Sequence, residues 1–283
     1  MARHRTIQVG ALNISANPHP EGIYLSLLKD GSTTRVNYRG NDWAKISKPK
    51  KVSDLDGVYT GRLLAWTEID TKGPWLDTES EDILSADEKA KIVIPSKAKP
   101  NYRVFSYAFK ERGHRLYIEL RNEFGDSLGP HMAQKIFYNL LSLSAINRKI
   151  DLDVTVVPTS GAVNRVLGLP GLRKLHIRVI APNADTTDEA KRKRVLDRLD
   201  EANAKQLDET YIKKAGEERL IATPEIRETA EIAAENGFVT GTGRVEGKTI
   251  EASTTKLPRR ENIPADQPGA SFISRLMGSV GLF

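Results

Sequence analysis

Residues 130–157, PHMAQKIFYNLLSLSAINRKIDLDVTVV, decide the fold class of this chain. Pro130 suits the first turn of a helix, where the missing backbone N–H is not needed. From there to about Ala145, apolar side chains recur every three or four residues and give one wide apolar helical face. The β-branched run Leu152–Val157 then predicts a strand. A largely apolar helix followed at once by a buried strand favours a fold in which helices pack on a sheet.

The same alternation continues on both sides of this stretch. Upstream, Tyr102–Phe109 and Arg115–Arg121 predict a β-hairpin, and Thr6–Ala16 predicts an opening strand. Downstream, a short helix over Gly161–Leu167 precedes a strand over Leu172–Ile180. We therefore predict an α+β fold with antiparallel or mixed sheets and with helices on one face.

The C-terminal half adds two further elements. Residues 188–215 are rich in charge and carry a narrow apolar stripe that includes Val195 and Leu207, which predicts one long charged helix. A second helix begins after Thr223, a helix-capping residue, and residues 238–254 predict a C-terminal hairpin.

Shifts in composition divide the chain into three predicted regions. The first is a β-rich basic region with an acidic insertion, and the second is an α+β core that holds the long helix and the hairpin. The third is a linker followed by an apolar tail. Their predicted bounds are residues 1–95, with the insertion at about 70–90, residues 96–257 and residues 258–283.

The composition excludes several classes of function. The chain has 283 residues, no cysteine and a formal net charge of +6. Without cysteine there is no disulfide, no thiolate nucleophile and no cysteine-ligated metal. Because no stretch approaches 18 apolar residues and the first residues lack the apolar segment of a secretory signal, we expect a cytoplasmic protein. We predict no cofactor and no metal.

The charge is distributed in blocks along the chain. Residues 1–51 carry a net charge of +6, residues 52–90 carry −7, and residues 91–125 carry +5. Clustered lysine and arginine favour a polyanionic ligand, because they release condensed counterions when they meet phosphates. The two basic blocks therefore predict a nucleic-acid partner.

Nine basic residues in these blocks are candidate contacts to DNA phosphates. Aromatic side chains, including Trp43 and Tyr102, are interleaved with them, as in proteins that combine phosphate contacts with base stacking. A solvated basic surface that keeps the protein soluble is the competing interpretation. The nine residues are Arg35, Arg39, Lys45, Lys48, Lys50, Lys51, Lys97, Lys99 and Arg103.

A metal-dependent nuclease is the alternative enzymatic hypothesis. Asp151 and Asp153 are two apart at the start of a strand, so both side chains point to the same face, and Glu119 and Glu123 are available to complete a Mg²⁺ site. Solvent-facing aspartates at a strand edge explain the same pattern.

The other motifs in the sequence do not match a complete catalytic or metal-binding pattern. Gly241–Thr249 resembles a phosphate-binding loop, but five residues instead of four separate its first glycine from Gly-Lys-Thr, and β-branched sequence follows. The hairpin turn is the better interpretation. The five histidines match no zinc pattern, and a Gly-x-Ser-x-Gly motif is absent. The chemistry thus favours binding over catalysis.

A third hypothesis is an interaction adaptor. The segment Glu68–Glu88 contains eight carboxylates, and the last residues from Phe272 onward follow helical spacing after a linker. An acidic loop and an apolar tail of this kind are typical of surfaces that dock other proteins. Simple surface exposure and packing of the tail on its own domain explain them equally.

Three stretches together resemble the RexA-like phage-exclusion proteins of lambdoid prophages: IDLDVTVVP at 150–158, AVNRVLG at 162–168 and LHIRVIAP at 175–182. The opening residues 7–24 resemble an uncharacterised family of bacteria and phages, to which the DNA-binding KwaB component of Kiwa defence is distantly similar. The resemblance implies a non-enzymatic, largely sequence-independent DNA-binding homodimer that acts in phage exclusion or anti-phage defence. It also implies a membrane-embedded or effector partner protein. It transfers no individual binding residue.

Overall fold

The computed structural model describes residues 6–18, 20–181, 189–265 and 271–279. The helices are α1 (Ile23–Gly31), α2 (Ala86–Ala90), α3 (Pro130–Asn147), α4 (Ala162–Leu167), α5 (Glu189–Glu201), α6 (Pro224–Glu235) and α7 (Phe272–Met277). The first strands are β1 (Thr6–Asn17), β2 (Val36–Arg39), β3 (Asp42–Ile46), β4 (Lys50–Lys51), β5 (Val58–Thr67), β6 (Leu76–Asp77), β7 (Asp82–Ile83) and β8 (Arg103–Lys110). The others are β9 (Arg115–Arg121), β10 (Asp151–Val156), β11 (Leu172–Ile180), β12 (Gln206–Ile212), β13 (Gly237–Val245), β14 (Lys248–Ser253) and β15 (Glu261–Pro264).

Within the described residues, nine strands form a large antiparallel sheet with the curvature of a half-barrel. Its strand order is β10–β1–β9–β8–β5–β3–β2, with β15 paired to β1 and β4 paired to β5. The predicted hairpin of β8 and β9 and the opening strand β1 are both present. Helices and antiparallel sheets together confirm the predicted α+β class.

One face of the large sheet is covered by α1 and α3. Phe105, Tyr107 and Phe109 of β8 are fully buried there, and the ring of Tyr107 meets that of Phe137 edge-on with 5.5 Å between centroids. Burying each side chain of this size contributes roughly 1.5–3 kcal/mol relative to exposure. The apolar face of α3 is thus the main support of this side of the sheet, as its sequence predicts.

The opposite face is covered at one end by the C-terminal segment. Leu276 of α7 is fully buried in a cluster with Ile7, Val9 and Tyr117, and β15 extends the sheet beside β1. The predicted linker and tail over 258–283 are therefore, where described, integrated into the large sheet. Residues 266–270 and 280–283 lie outside the described residues.

A second sheet has the antiparallel order β12–β11–β13–β14. Its core joins Leu175 and Ile177 of β11 to Ala230 of α6 and to Val195 and Leu199 of α5. The strands β13 and β14 are the predicted hairpin at 238–254. The side chain of the capping residue before α6 accepts the hydrogen bond from the backbone of the third helical residue, as its sequence predicts.

The prediction of one helix over 188–215 is wrong in its second half. The helix α5 ends at Glu201, Asn203 adopts a left-handed conformation with φ of 48°, and the chain continues as the strand β12. In β12 the exposed side chains alternate with Leu207 and Tyr211, which pack against the core of the second sheet. This two-residue period outweighs helical propensity, because it buries both apolar side chains against β11. Residue 188 lies outside the described residues.

Polar contacts join the two sheets. The Oγ of Ser15 donates to the carbonyl of Ala181 at 2.9 Å, and the Oγ1 of Thr155 donates to that of Glu235 at 2.8 Å. The predicted boundary near residue 95 falls inside the large sheet, since β5 pairs with β8 across it. The second sheet begins only at β11.

No helix within the described ranges is long and apolar enough to cross a membrane.

Candidate nucleic-acid interface

Two side chains of β3 that the sequence placed at the candidate interface, Trp43 and Lys45, point away from the helices. Its residues Ala44 and Ile46 are buried in the core beneath α1 and α3. Because successive side chains of a strand point to opposite faces, Trp43 and Lys45 lie on the other face of the sheet. Both are partly exposed.

The next strand, β5, continues this surface. Its residues Leu63 and Ala65 face the core, so Arg62 and Leu64 point to the same side as Lys45. The register places Lys45 directly opposite Leu64. We call the surface formed by Trp43, Lys45, Arg62 and Leu64 the outer face.

Lys50 extends the outer face along β5. It pairs with Thr60, which lies two residues before Arg62 and points to the same side. From Thr60 to Trp66 the strand covers six residue steps, or about 20 Å. Basic side chains therefore follow the outer face for about 20 Å.

Trp43 carries an arginine on its ring. The guanidinium carbon of Arg35 lies 5.0 Å from the ring centroid, which is the geometry of a cation–π contact. Trp43 is also the register partner of Trp66, whose indole N–H donates to Glu68 at 3.0 Å. The side chain of Arg35 itself remains exposed. Arg35 and Trp43 thus present an arginine and an indole together at the end of the outer face.

The second basic block reaches the first at Glu68. The ammonium group of Lys99 forms an ion pair with the Glu68 carboxylate. Hydrogen bonds from Lys99 and Trp66, together with the charge of Arg35, hold the pKa of Glu68 below its ordinary value. Glu68 is therefore a carboxylate at neutral pH and neutralises only part of the positive charge around it.

Arg103 lies on the helix-covered side instead. It shares a face with Phe105 and pairs with Asp42 at 3.1 Å. Desolvation would raise the pKa of Asp42, but hydrogen bonds from Thr67 and Arg103 and the charge of Arg39 outweigh it and lower the pKa. The structure thus separates Arg39 and Arg103 from the outer face.

The remaining predicted residues lie around the edge. Lys51 points to the helix side and pairs with Asp56 at 3.2 Å, Lys48 is exposed between β3 and β4, and Lys97 is exposed in the connection before β8. The structure therefore brings Arg35, Lys45, Lys50 and Lys99 to the outer face. The other five predicted residues lie elsewhere.

Arg62 belongs to this surface and was missed by the sequence analysis. The pattern that could have identified Arg62 is the two-residue alternation of its strand. Because Leu63 and Ala65 are buried toward the helices, Arg62 points to the outer face. Within the described part of the chain, four cations of the outer face form no ion pair with a carboxylate, namely Arg35, Lys45, Lys50 and Arg62, and the same holds for Lys48 at its edge.

The carboxylates of the nuclease hypothesis are not brought together. Asp151 pairs with Lys205 at 3.2 Å, and Asp153 lies opposite Ser15 in the joint between the sheets. Glu119 is opposite Val9, six residues along β1 from Ser15, or about 20 Å away. Among the residues that the structure describes, no three acidic or histidine side chains form a group able to hold a metal ion.

Burial sets the direction of the pKa shift at both Asp153 and Glu119, and it outweighs the effect of nearby cations. It raises the pKa of Asp153, whose Oδ2 is buried with no hydrogen-bond partner within the described chain. Burial also raises the pKa of Glu119, although Glu119 accepts a hydrogen bond of 2.6 Å from the backbone of Ser106.

The other motifs have structural roles. The Gly241–Thr249 stretch spans the turn of the β13–β14 hairpin, as its sequence predicts. His114 is buried with its ring 4.3 Å from that of Tyr24, His131 contacts the carbonyl of Thr255, and His176 pairs with an aspartate of β12. The other two histidines, at positions 4 and 19, lie outside the described residues.

Comparison with protein families gives a match over residues 5–276, to the sequence model described as "Domain of unknown function (DUF4747)". The chain belongs to the DUF4747 family. No curated protein matches it. The DUF4747 match begins just before β1 and ends within α7, so that it includes both sheets and the segment that closes the large one. The resemblance to RexA-like proteins stays a hypothesis.

Proposed function

We propose that this DUF4747 protein is a non-enzymatic, largely sequence-independent DNA-binding protein that uses the outer face of its large sheet. The observation that carries the proposal is the set of cations along β3, β4 and β5 that pair with no carboxylate of the described residues, beside the Arg35–Trp43 contact. Lysine and arginine side chains without a carboxylate partner are free to pair with phosphate oxygens.

The arrangement supports contacts to a backbone more than to base edges. Lys45 lies opposite Leu64 and Lys50 lies opposite Thr60, so each is a diagonal neighbour of Arg62, about 7–8 Å away. Lys45, Arg62 and Lys50 therefore form a row of positive charges along β5. Such a row attracts any polyphosphate chain, whatever its sequence. Specific readout of a duplex is typically made by an element that enters a groove, whereas phosphate contacts need only a charged surface.

The test is the salt dependence of DNA binding. Fluorescence anisotropy with two unrelated duplexes should give similar affinities, and each phosphate contact should contribute about −0.9 to the slope of log K against log salt. The double variant K45A/R62A should weaken binding to both duplexes and reduce the slope by about two.

The control variant replaces two exposed basic residues away from the outer face, Arg165 in α4 and Lys248 in β14. The variant R165A/K248A removes the same net charge from positions that have no ion pair within the described chain. It should leave the slope nearly unchanged. No binding at 50 mM salt, or an equal loss in the control, would refute the proposal.

We extend the proposal to a cytoplasmic homodimer that acts in phage exclusion or anti-phage defence, with a membrane or effector partner protein. The support for this wider role is the pattern over residues 150–182 that resembles RexA-like proteins. Phage plating on cells that express the wild type, K45A/R62A or R165A/K248A tests it, and light scattering gives the oligomeric state. Equal plating with all three proteins and with an empty vector would remove the defence role while leaving DNA binding to its own test.

A further inference from the structure

We infer that the outer face selects unpaired DNA strands, with a base stacked at Trp43. This inference rests on the proposed function, because it names the form of DNA that the same face takes. The decisive feature is the partly exposed indole of Trp43 on the outer face, among cations that form no ion pair within the described residues. A duplex hides the faces of its bases, so an exposed ring adds little to duplex binding, whereas a single strand offers each base for stacking.

The ring of Trp43 is held in place from below and from one side. Trp43 belongs to β3, its neighbours Asp42 and Ala44 pair with β5, and its register partner Trp66 is buried and fixed by its hydrogen bond to Glu68. A ring positioned by a strand loses little conformational freedom when a base packs on it.

Arg35 lies over the ring of Trp43, at the position where a base would stack. It precedes β2 and is exposed, and its charge helps to lower the pKa of Glu68, but within the described residues it forms no ion pair or hydrogen bond. An exposed cation–π contact is weaker than a base–aromatic stack. We therefore expect Arg35 to move from the ring to a phosphate when a base stacks, so that the displaced cation still contributes to binding.

The cations lie where the backbone of such a strand would run. Lys45 follows Trp43 by two residues on the same face, and Arg62 and Lys50 continue the line along β5. The outer face thus joins a stacking position at one end to a charged track of about 20 Å, which is the combination found in surfaces that bind single strands.

The experiment compares a 20-nucleotide oligo(dT) with a hairpin duplex of equal phosphate number at one salt concentration. Wild-type protein should bind oligo(dT) more tightly. The variant W43A should lose about tenfold in affinity for oligo(dT) and change less than twofold for the duplex, whereas W43F keeps a ring and should retain most of the affinity. Y138A, which removes a partly exposed ring on the opposite, helix side, should change neither affinity.

Tryptophan fluorescence gives a second measurement that does not depend on W43A being folded. Oligo(dT) should quench the wild type, and W43F, which still contains Trp66 and Trp75, should lose most of the quenching.

The outcomes separate this inference from the proposed function. Tighter binding of the duplex, an equal effect of W43A on both ligands, or unchanged quenching in W43F would overturn the inference and leave DNA binding intact. Tighter binding of a matched oligo(U) than of oligo(dT) would overturn the assignment to DNA. Failure to bind any of these ligands would overturn both proposals.

Discussion

The side-chain amide of Asn13 in β1 donates a hydrogen bond of 2.9 Å to the side-chain oxygen of Asn236, which follows α6. Both residues are buried, at 4% and 3% exposure, and the same amide lies 3.3 Å from the carbonyl of Glu235. Asn236 in turn accepts a backbone hydrogen bond from Ile180 at the end of β11. Asn13 and Asn236 thereby join β1 of the large sheet to α6 and β11 of the second sheet.

Replacing Asn13 by alanine should destabilise the protein by about 1–3 kcal/mol, because the buried Asn236 oxygen loses its donor without regaining water. Urea unfolding followed by circular dichroism measures the loss. The matched control is Q8A on the same strand, whose hydrogen bond to Asn262 is exposed and whose removal should cost less than about 0.5 kcal/mol. Equal losses in the two variants would show that the contact between the sheets is not special.

Replacing Asp153 by asparagine should stabilise the protein at neutral pH. Burial raises the pKa of Asp153, so the folded chain binds a proton more readily than the unfolded chain, and stability falls as pH rises through that window. An uncharged amide removes this cost. Melting temperatures should therefore rise for D153N at pH 7, and the gain should shrink toward pH 3.5. A lower melting temperature at pH 7 would contradict the prediction.

Replacing Ser144 by alanine should lower the free energy of unfolding by an amount that depends on pH. A hydrogen bond from Ser144, aided by the nearby Arg148, lowers the pKa of Asp30 below its ordinary value of 3.8. A lowered pKa contributes stability above that value, and the contribution is lost as pH falls through the folded pKa. The stability gap between wild type and S144A should be wide at pH 6 and should narrow as the pH falls below 3.8 toward the lowered pKa of Asp30.

The control for this prediction is S142A on the same helix, where the Ser142 hydroxyl donates to the carbonyl of Asn139 and to no other group that the structure describes. Its effect should be independent of pH. A gap for S144A that stays constant from pH 6 to pH 3 would mean that Asp30 does not draw its stabilisation from Ser144.

Replacing Leu276 by alanine should cost about 2–5 kcal/mol, because a fully buried leucine leaves a cavity between α7 and the large sheet. The adjacent Met277 is 51% exposed, and M277A should be nearly neutral. Thermal unfolding of the two variants makes the comparison. A neutral L276A would indicate that α7 does not pack on the sheet in solution.

Much of the architecture could be predicted from local patterns. The helix from Pro130 and the hairpin at 238–254 follow from periodicity and turn residues alone. The prediction was wrong for the second half of the long helix, because the interactions that decide its structure are non-local. Leu207 and Tyr211 pack against a core only when β12 lies beside β11. Helical propensity is a weak guide where a neighbouring strand offers more burial.

The candidate site was predictable only in part. Arg35 directly precedes β2, and Trp43 and Lys45 lie on β3, so their closeness follows from the pairing of two strands joined by a short turn. The division between Arg103 and Lys99, which are four residues apart yet lie on different sides of the sheet, depends on strand alternation and on which carboxylate each one meets. Charge counts along a sequence do not contain that information.

The pairing of β1 with β15 sets the order in which the molecule can be completed. Thr6 lies opposite Pro264, so the first strand acquires one of its neighbours only after the chain has been synthesised past residue 264. Contacts this distant in sequence are slow to form, since loop closure must precede any gain from pairing. The edge of β1 at Thr6–Val9 must therefore stay unpaired until β15 is available, and the large sheet cannot be completed before then.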